Sequence, residues 1–185
     1  LYLQYKEKPQ VGLHIVFQMR DSFRDEVSGF VNRSKNVQLE NLNFYYLGNF
    51  GVVCQYSENV TFDRCNFAPR PDSGRTNAGF ADFIQVSGCR GMIDIRNSRF
   101  SGAHDDPINI HGTHLRVTEF LSPNRLKVRF MHEQTFGFEA FFKGDDIELV
   151  DPLSLLAVEK AKVKEAKLVT PREMELTLSG PLSPE

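Results

Sequence analysis

One pattern occurs three times in the first hundred residues, and it restricts the fold more than anything else in the chain. Lys35-Asn36-Val37-Gln38-Leu39-Glu40-Asn41-Leu42-Asn43-Phe44 is followed by Glu58-Asn59-Val60-Thr61-Phe62-Asp63-Arg64-Cys65-Asn66-Phe67 and then by Gly91-Met92-Ile93-Asp94-Ile95-Arg96-Asn97-Ser98-Arg99-Phe100. The closing phenylalanines lie 23 residues apart (44 to 67) and 33 apart (67 to 100). The longer interval contains a Pro/Gly/Ser-rich stretch, residues 68–75, which reads as an inserted loop. A second alternating run accompanies each copy: residues 51–55, 82–86 and 106–110. A unit of about two dozen residues with two or three short β-runs cannot bury its inward face alone, so copies must stack. The expected fold class is therefore all-β, a parallel β-helix over residues 1–114, with a β-sandwich as the alternative. Val37, Val60 and Ile93 should form one inward ladder, and Val53, Ile84 and Ile108 another. The asparagines Asn41, Asn43, Asn66 and Asn97 fall near the turns, where Asn tolerates left-handed backbone.

After His114 the repeat disappears. Residues 115–120 and 126–130 flank a Ser122-Pro123-Asn124 turn and read as a hairpin. Further runs cover 147–150, 157–169 and 173–178. Residues 115–185 thus read as a small antiparallel, β-barrel-like module, appended or inserted. Residues 157–167 have helical propensity, but their Lys/Glu alternation also suits a solvated strand.

Composition narrows the partners. A formal net charge of −2 argues against nucleic acid or an anionic membrane surface as the partner. No apolar run approaches the roughly 18–20 residues of a membrane span. Residues 1–5 look like mid-domain sequence, so we expect a piece of a longer protein whose leader, if any, lies elsewhere. Three cysteines, Cys54, Cys65 and Cys89, are an odd number without CxxC spacing and read as small buried hydrophobes. The sequons at Asn32 and Asn59 read as chance occurrences.

The chemistry concentrates in residues 102–113. Asp105 and Asp106 are adjacent, and Asp82 occupies the place of Asp106 one copy earlier, both aligned with Gly51. Stacked strands lie about 4.8 Å apart, so Asp82 and Asp106 repel unless they share a water, a proton or a cation. Asp105, one residue out of phase, should stand apart from the pair. A close pair that holds a water and a separate acid that protonates a leaving oxygen suit glycoside hydrolysis, where inversion needs about 6.5–9.5 Å between base and acid. Turn-forming aspartates or a calcium site would use the same residues. Strict alternation would bury Asp82 and Asp106 with Ile84 and Ile108; their position at a strand entrance, after Gly79 and Gly102, offers an escape. Gln85 and Asn109 align on the outward face as substrate-binding candidates, joined by His111 and by Arg75 at the end of the loop. Asp145-Asp146 follows Gly144 and reads as a turn.

The run Asp105-Asp106-Pro107-Ile108-Asn109-Ile110-His111-Gly112-Thr113-His114-Leu115-Arg116-Val117 resembles glycoside hydrolase family 110, the exo-acting α-1,3-galactosidases known for removing blood-group B galactose. The likeness continues upstream through Pro69-Arg70-Pro71-Asp72-Ser73-Gly74-Arg75, Ala81-Asp82 and Cys89-Arg90-Gly91, and covers residues 28–118 best. The resemblance implies a right-handed parallel β-helix with β-barrel insertions, and hydrolysis with inversion and without a metal or other cofactor. It implies Asp105 as general acid, and Asp82 and Asp106 as the base pair. A glycan substrate and a secreted or periplasmic bacterial location follow from the same likeness. A polygalacturonase-like hydrolase and a non-catalytic carbohydrate-binding module are the alternatives. The oligomeric state is left open. Convergent carboxylates would favour an enzyme; dispersed ones would favour the module.

Overall fold

The computed structural model describes residues 10–12, 14, 26–133 and 135–183; the reading of residues 1–5 lies outside them. Fifteen strands and no helix are present among the described residues, so no helix is long and apolar enough to cross a membrane. Contacts divide the chain into residues 1–111 and 112–185.

In the first unit three parallel sheets grow side by side. One contains β1 (Val27–Asn32), β4 (Phe50–Gln55), β7 (Ile84–Ser87) and β10 (Ile108–His111), in that order. The second contains β2 (Lys35–Glu40), β5 (Glu58–Asp63) and β8 (Arg90–Arg96), and the third β3 (Asn43–Phe44), β6 (Asn66–Phe67) and β9 (Arg99–Phe100). Each copy of the repeat is one rung through these sheets. Parallel pairing throughout rules out the antiparallel sandwich. Val37, Val60 and Ile93 are in register, as the repeat requires.

Three corners per rung keep the copies in step, and each is made by left-handed residues stacked on one another. Arg33, Tyr56 and Gly88 form the first, Asn36, Asn59 and Gly91 the second, and Asn41, Arg64 and Asn97 the third. At the second corner, Asn59 Nδ2 donates to Asn36 Oδ1 at 2.9 Å, and Asn59 Oδ1 accepts from the Met92 backbone at 3.0 Å. A Cβ at Gly91 would lie 2.3 Å from that same Oδ1, so the third copy carries glycine there.

The cysteines do more than fill space. Ser57 and Cys89 occupy equivalent places on successive rungs. Ser57 Oγ donates to the carbonyls of Val31 and Gln55, and Cys89 Sγ donates to that of Cys54. Cys65 Sγ likewise donates to Leu39, while its own N–H reaches Ser98 Oγ. Serine and cysteine therefore interchange as caps for corner carbonyls. All three thiols are free, and burial pushes Cys54 up to about 12 and raises Cys89 as well, so neither of these two is an activated nucleophile. The phenylalanines that close the copies form a stack: Phe44, Phe67 and Phe100 have ring centroids 4.4 and 5.0 Å apart, with Phe83 against Phe67.

The second ladder differs from expectation by one residue. Val52, not Val53, pairs with Ile84 and through it with Ile108. The cause is an irregular strand entrance: two consecutive N–H groups, of Gly51 and Val52, donate to consecutive carbonyls of Asp82 and Phe83. A regular parallel strand alternates its donors between neighbours, so the doubled donation inserts one residue and shifts every side chain after it. A Cβ at Gly51 would stand 2.2 Å from the Phe83 carbonyl oxygen, which makes glycine mandatory at this kink. The doubled donation repeats one rung later, where Phe83 and Ile84 donate to Asp106 and Pro107.

The second unit is one antiparallel sheet in the order β11 (Arg116–Ser122), β12 (Arg125–Arg129), β15 (Glu173–Leu178), β14 (Ala157–Thr170), β13 (Asp146–Val150). Leu126, Val128, Met174, Leu176 and Leu178 form its core. Residues 157–167 are strand: Val163 is buried opposite Leu178 while the lysines stay in solvent, so packing overrides helical propensity. The expected barrel is not closed. Among the described residues β11 and β13 remain the two edges of the sheet, with no hydrogen-bonded ladder between them.

Candidate active site

The irregular entrance carries the aspartates. Segments preceding β4, β7 and β10 stack on each other through bonds from Leu47 N to Ala78 O, Phe80 N to Leu47 O and Ala78 N to Gly102 O. Asp82 lies on the middle segment and Asp105 and Asp106 on the last. Because parity is broken just before each strand, the alternation that would have sent both Asp82 and Asp106 into the core does not apply. Asp82 is 5% exposed, whereas Asp105 and Asp106 are in solvent. The asymmetry follows the stack. The rung of Asp82 is covered by the next one, while β10 is the last strand of its sheet: Ile84 is 0% exposed and its partner Ile108 39%.

The structure brings all three carboxylates together. One oxygen from each of Asp82, Asp105 and Asp106 lies within 4.8 Å of the others. The nearest oxygens approach more closely than the roughly 6.5–9.5 Å between the carboxyl groups of an inverting acid and base. The same three oxygens are hard donors of the kind a divalent cation accepts.

The outward residues are also placed. Gln85 and Asn109 are register partners, as their alignment suggested. Asn109 Nδ2 donates to Asp82 Oδ2 at 3.1 Å, a contact that spacing alone did not reveal because it depends on which rung covers Asp82. Gln85 Nε2 and His111 Nε2 are 3.3 Å apart. Arg75 holds its guanidinium 4.5 Å over the ring of Tyr46, an exposed aromatic that sequence reasoning passed over. The adjacent Tyr45-Tyr46 pair just before a glycine was the available signal.

Comparison with known proteins places the chain among its relatives. A family model described as GLAA-B beta-barrel domain II matches residues 125–185. Alpha-1,3-galactosidase A of Bacteroides thetaiotaomicron is 88% identical over all 185 residues, which make up 33% of that relative. The chain belongs to the α-1,3-galactosidase family. Alpha-1,3-galactosidase A of Akkermansia muciniphila is 44% identical over 165 residues, covering 89% of this chain and 28% of the relative. The separately named alpha-1,3-galactosidase B of Bacteroides thetaiotaomicron is 32% identical over 167 residues, 90% of this chain and 27% of the relative. The chain thus spans 27–33% of the length of these galactosidases.

Proposed function

We propose that this chain carries the acidic site of a glycoside hydrolase that removes terminal α-1,3-linked galactose from glycans, including blood-group B structures. The observation that supports it most is the convergence of three carboxylates at one strand entrance. Asp82 and Asp106, at equivalent places on successive rungs, hold a water and take its proton; Asp105 protonates the departing glycosidic oxygen. The fixed donor Asn109 keeps Asp82 an acceptor. Gln85, His111 and Arg75 contact sugar hydroxyls around them. No cofactor is used.

The parallel rungs support a right-handed parallel β-helix, since parallel crossovers are right-handed in nearly all sheets, with the antiparallel module as a β-barrel insertion. A glycan substrate outside the cell supports a secreted or periplasmic location. The names of the relatives favour galactosidase over the pectin-type and binding-module readings.

Two stereochemical outcomes are open to the cluster. Inversion requires the exposed Asp105 carboxyl to swing away from the pair as the sugar enters. Retention, which uses two carboxyls about 5–5.5 Å apart, is the competing outcome that the test separates. The test uses the full-length protein on p-nitrophenyl α-galactoside and a Gal-α1,3-Gal disaccharide, with proton NMR of the first-formed galactose. Disaccharide cleavage abolished by Asp105→Asn, with β-galactose appearing first, is the expected result. α-Galactose appearing first overturns inversion, and no cleavage overturns the galactosidase reading.

A further inference from the structure

The antiparallel module has a cationic pocket that the acidic site does not use. Arg116 and Arg129 are direct register partners on β11 and β12. Like charges placed opposite each other destabilise an antiparallel pair. The neighbouring cations on this face of β12 are neutralised: Lys127 pairs with Glu119 at 2.9 Å and Arg125 with Glu175 at 2.9 Å. Among the described residues no ion pair joins Arg116 or Arg129 to an acid, although Glu173 faces Arg129 from β15. Among the described residues, no ion pair offsets this rung.

A third guanidinium completes it. Arg172 is held in place by donating to the carbonyls of His132 and Glu133, and it lies 3.9 Å over the Phe136 ring. Its side chain is ordered before any ligand arrives, which lowers the entropy lost on binding. Arg116, Arg129 and Arg172 line one open pocket of about 330 Å³ with Thr118, Phe130 and Met131. The volume is at the lower end of the small-ligand range, about 300–1,000 Å³. Guanidinium groups bind carboxylate and sulfate in bidentate fashion. The exposed Met131 offers apolar surface for the C–H face of a ring. A single pocket, in a chain of net charge −2, suits a small anion better than a polyanion.

We infer that this pocket binds an anionic saccharide through a carboxylate or sulfate ester gripped by Arg116, Arg129 and Arg172. That the anion is carried on a sugar rests on the glycan-hydrolase reading; the arginine site itself does not. Because the test reads binding and not catalysis, the two can fail separately.

Calorimetric titration of the full-length protein at low salt would use N-acetylneuraminic acid, galactose 6-sulfate, inorganic sulfate and galactose. The expected result is millimolar binding of one or both acidic sugars, weakened at least about tenfold by Arg129→Gln and only partly restored by Arg129→Lys, which keeps the charge but not the fork. Binding of the sialic acid alone assigns the carboxylate as the ligand group, and of the sulfated sugar alone the sulfate ester. Arg116→Gln should weaken binding and also raise the melting temperature, because it removes the opposed charge. Inorganic sulfate binding as tightly as either sugar overturns the saccharide. Equal binding of galactose, or acidic-sugar binding untouched by Arg129→Gln, overturns the site. So does a fall in melting temperature in both variants with binding unchanged, which would mark the arginines as structural.

Discussion

Two aspartates are buried in the same stack of rungs, and the described residues around them differ. Asp63 sits at the end of β5, 3% exposed, with Asn97 Nδ2 donating to it at 2.9 Å, Arg64 in a close ion pair and Arg96 Nε at 3.6 Å. The Asn97 bond, with Arg64 and Arg96 behind it, holds its carboxyl below the usual carboxylate range against the opposing cost of burial. Asp82 is 5% exposed, and its neighbours include the amide of Asn109 and two further carboxylates. A charge placed for stability is surrounded by groups that offset it. A charge placed among like charges raises the energy of the folded state, and such arrangements persist where chemistry needs them. The contrast is consistent with the proposed catalytic role of Asp82 and with a structural role for Asp63.

The contrast breaks most sharply on activity. Asp105→Asn in the full-length enzyme should lower kcat by about 10²–10⁴-fold, the usual contribution of a positioned acid, and leave the melting curve nearly unchanged because Asp105 is exposed. Asp63→Asn should do the reverse, lowering the melting temperature and sparing kcat. Equal effects of the two on kcat would erase the distinction.

Core geometry comes next. Phe67→Ala should cost about 3–5 kcal/mol by chemical denaturation, since its ring contacts Phe44, Phe83 and Phe100 at once.

The pH dependence then tests Asp63. Its folded-state carboxyl is lowered, so its contribution is present above the ordinary carboxylate range and is lost as pH falls through the lowered folded value. Melting temperature measured downward from neutral pH should therefore fall less steeply in Asp63→Asn than in the parent. Asp82→Asn at neutral pH should raise the melting temperature while removing activity; a fall would place Asp82 among the structural acids.

The smallest effect is expected at Asn109. Asn109→Ala should lower kcat by about tenfold with little change in KM, because the residue orients Asp82 and leaves sugar binding to others. A rise in KM alone would return Asn109 to the sugar-binding role that its outward alignment suggests.

Much of this was legible in the sequence. The three copies predicted stacked parallel rungs, and the ladder of Val37, Val60 and Ile93 is in register as aligned. The equivalence of Asp82 and Asp106 held, because both follow the same doubled donation at the same distance before Ile84 and Ile108. These features depend on a pattern that repeats along the chain, which is local information. Other features did not follow from the pattern. Gly51 aligns with Asp82 in the repeat, yet the entrance kink moves the pairing by one and puts Val52 inside. Nothing in residues 50–55 alone encodes that shift, since it exists only when Gly51 and Val52 meet consecutive carbonyls of another rung.

The sequence by itself determined the all-β class, the repeating rung, the hairpins of the second unit and the acids worth suspecting. Tertiary structure decided which acid is buried, that Asn109 bonds to Asp82, that thiols replace hydroxyls as corner caps, and that the antiparallel sheet stays open. Periodicity records which side of a strand each residue takes. Burial and hydrogen-bond partners depend instead on what stacks above and below, and that is settled only when the rungs assemble.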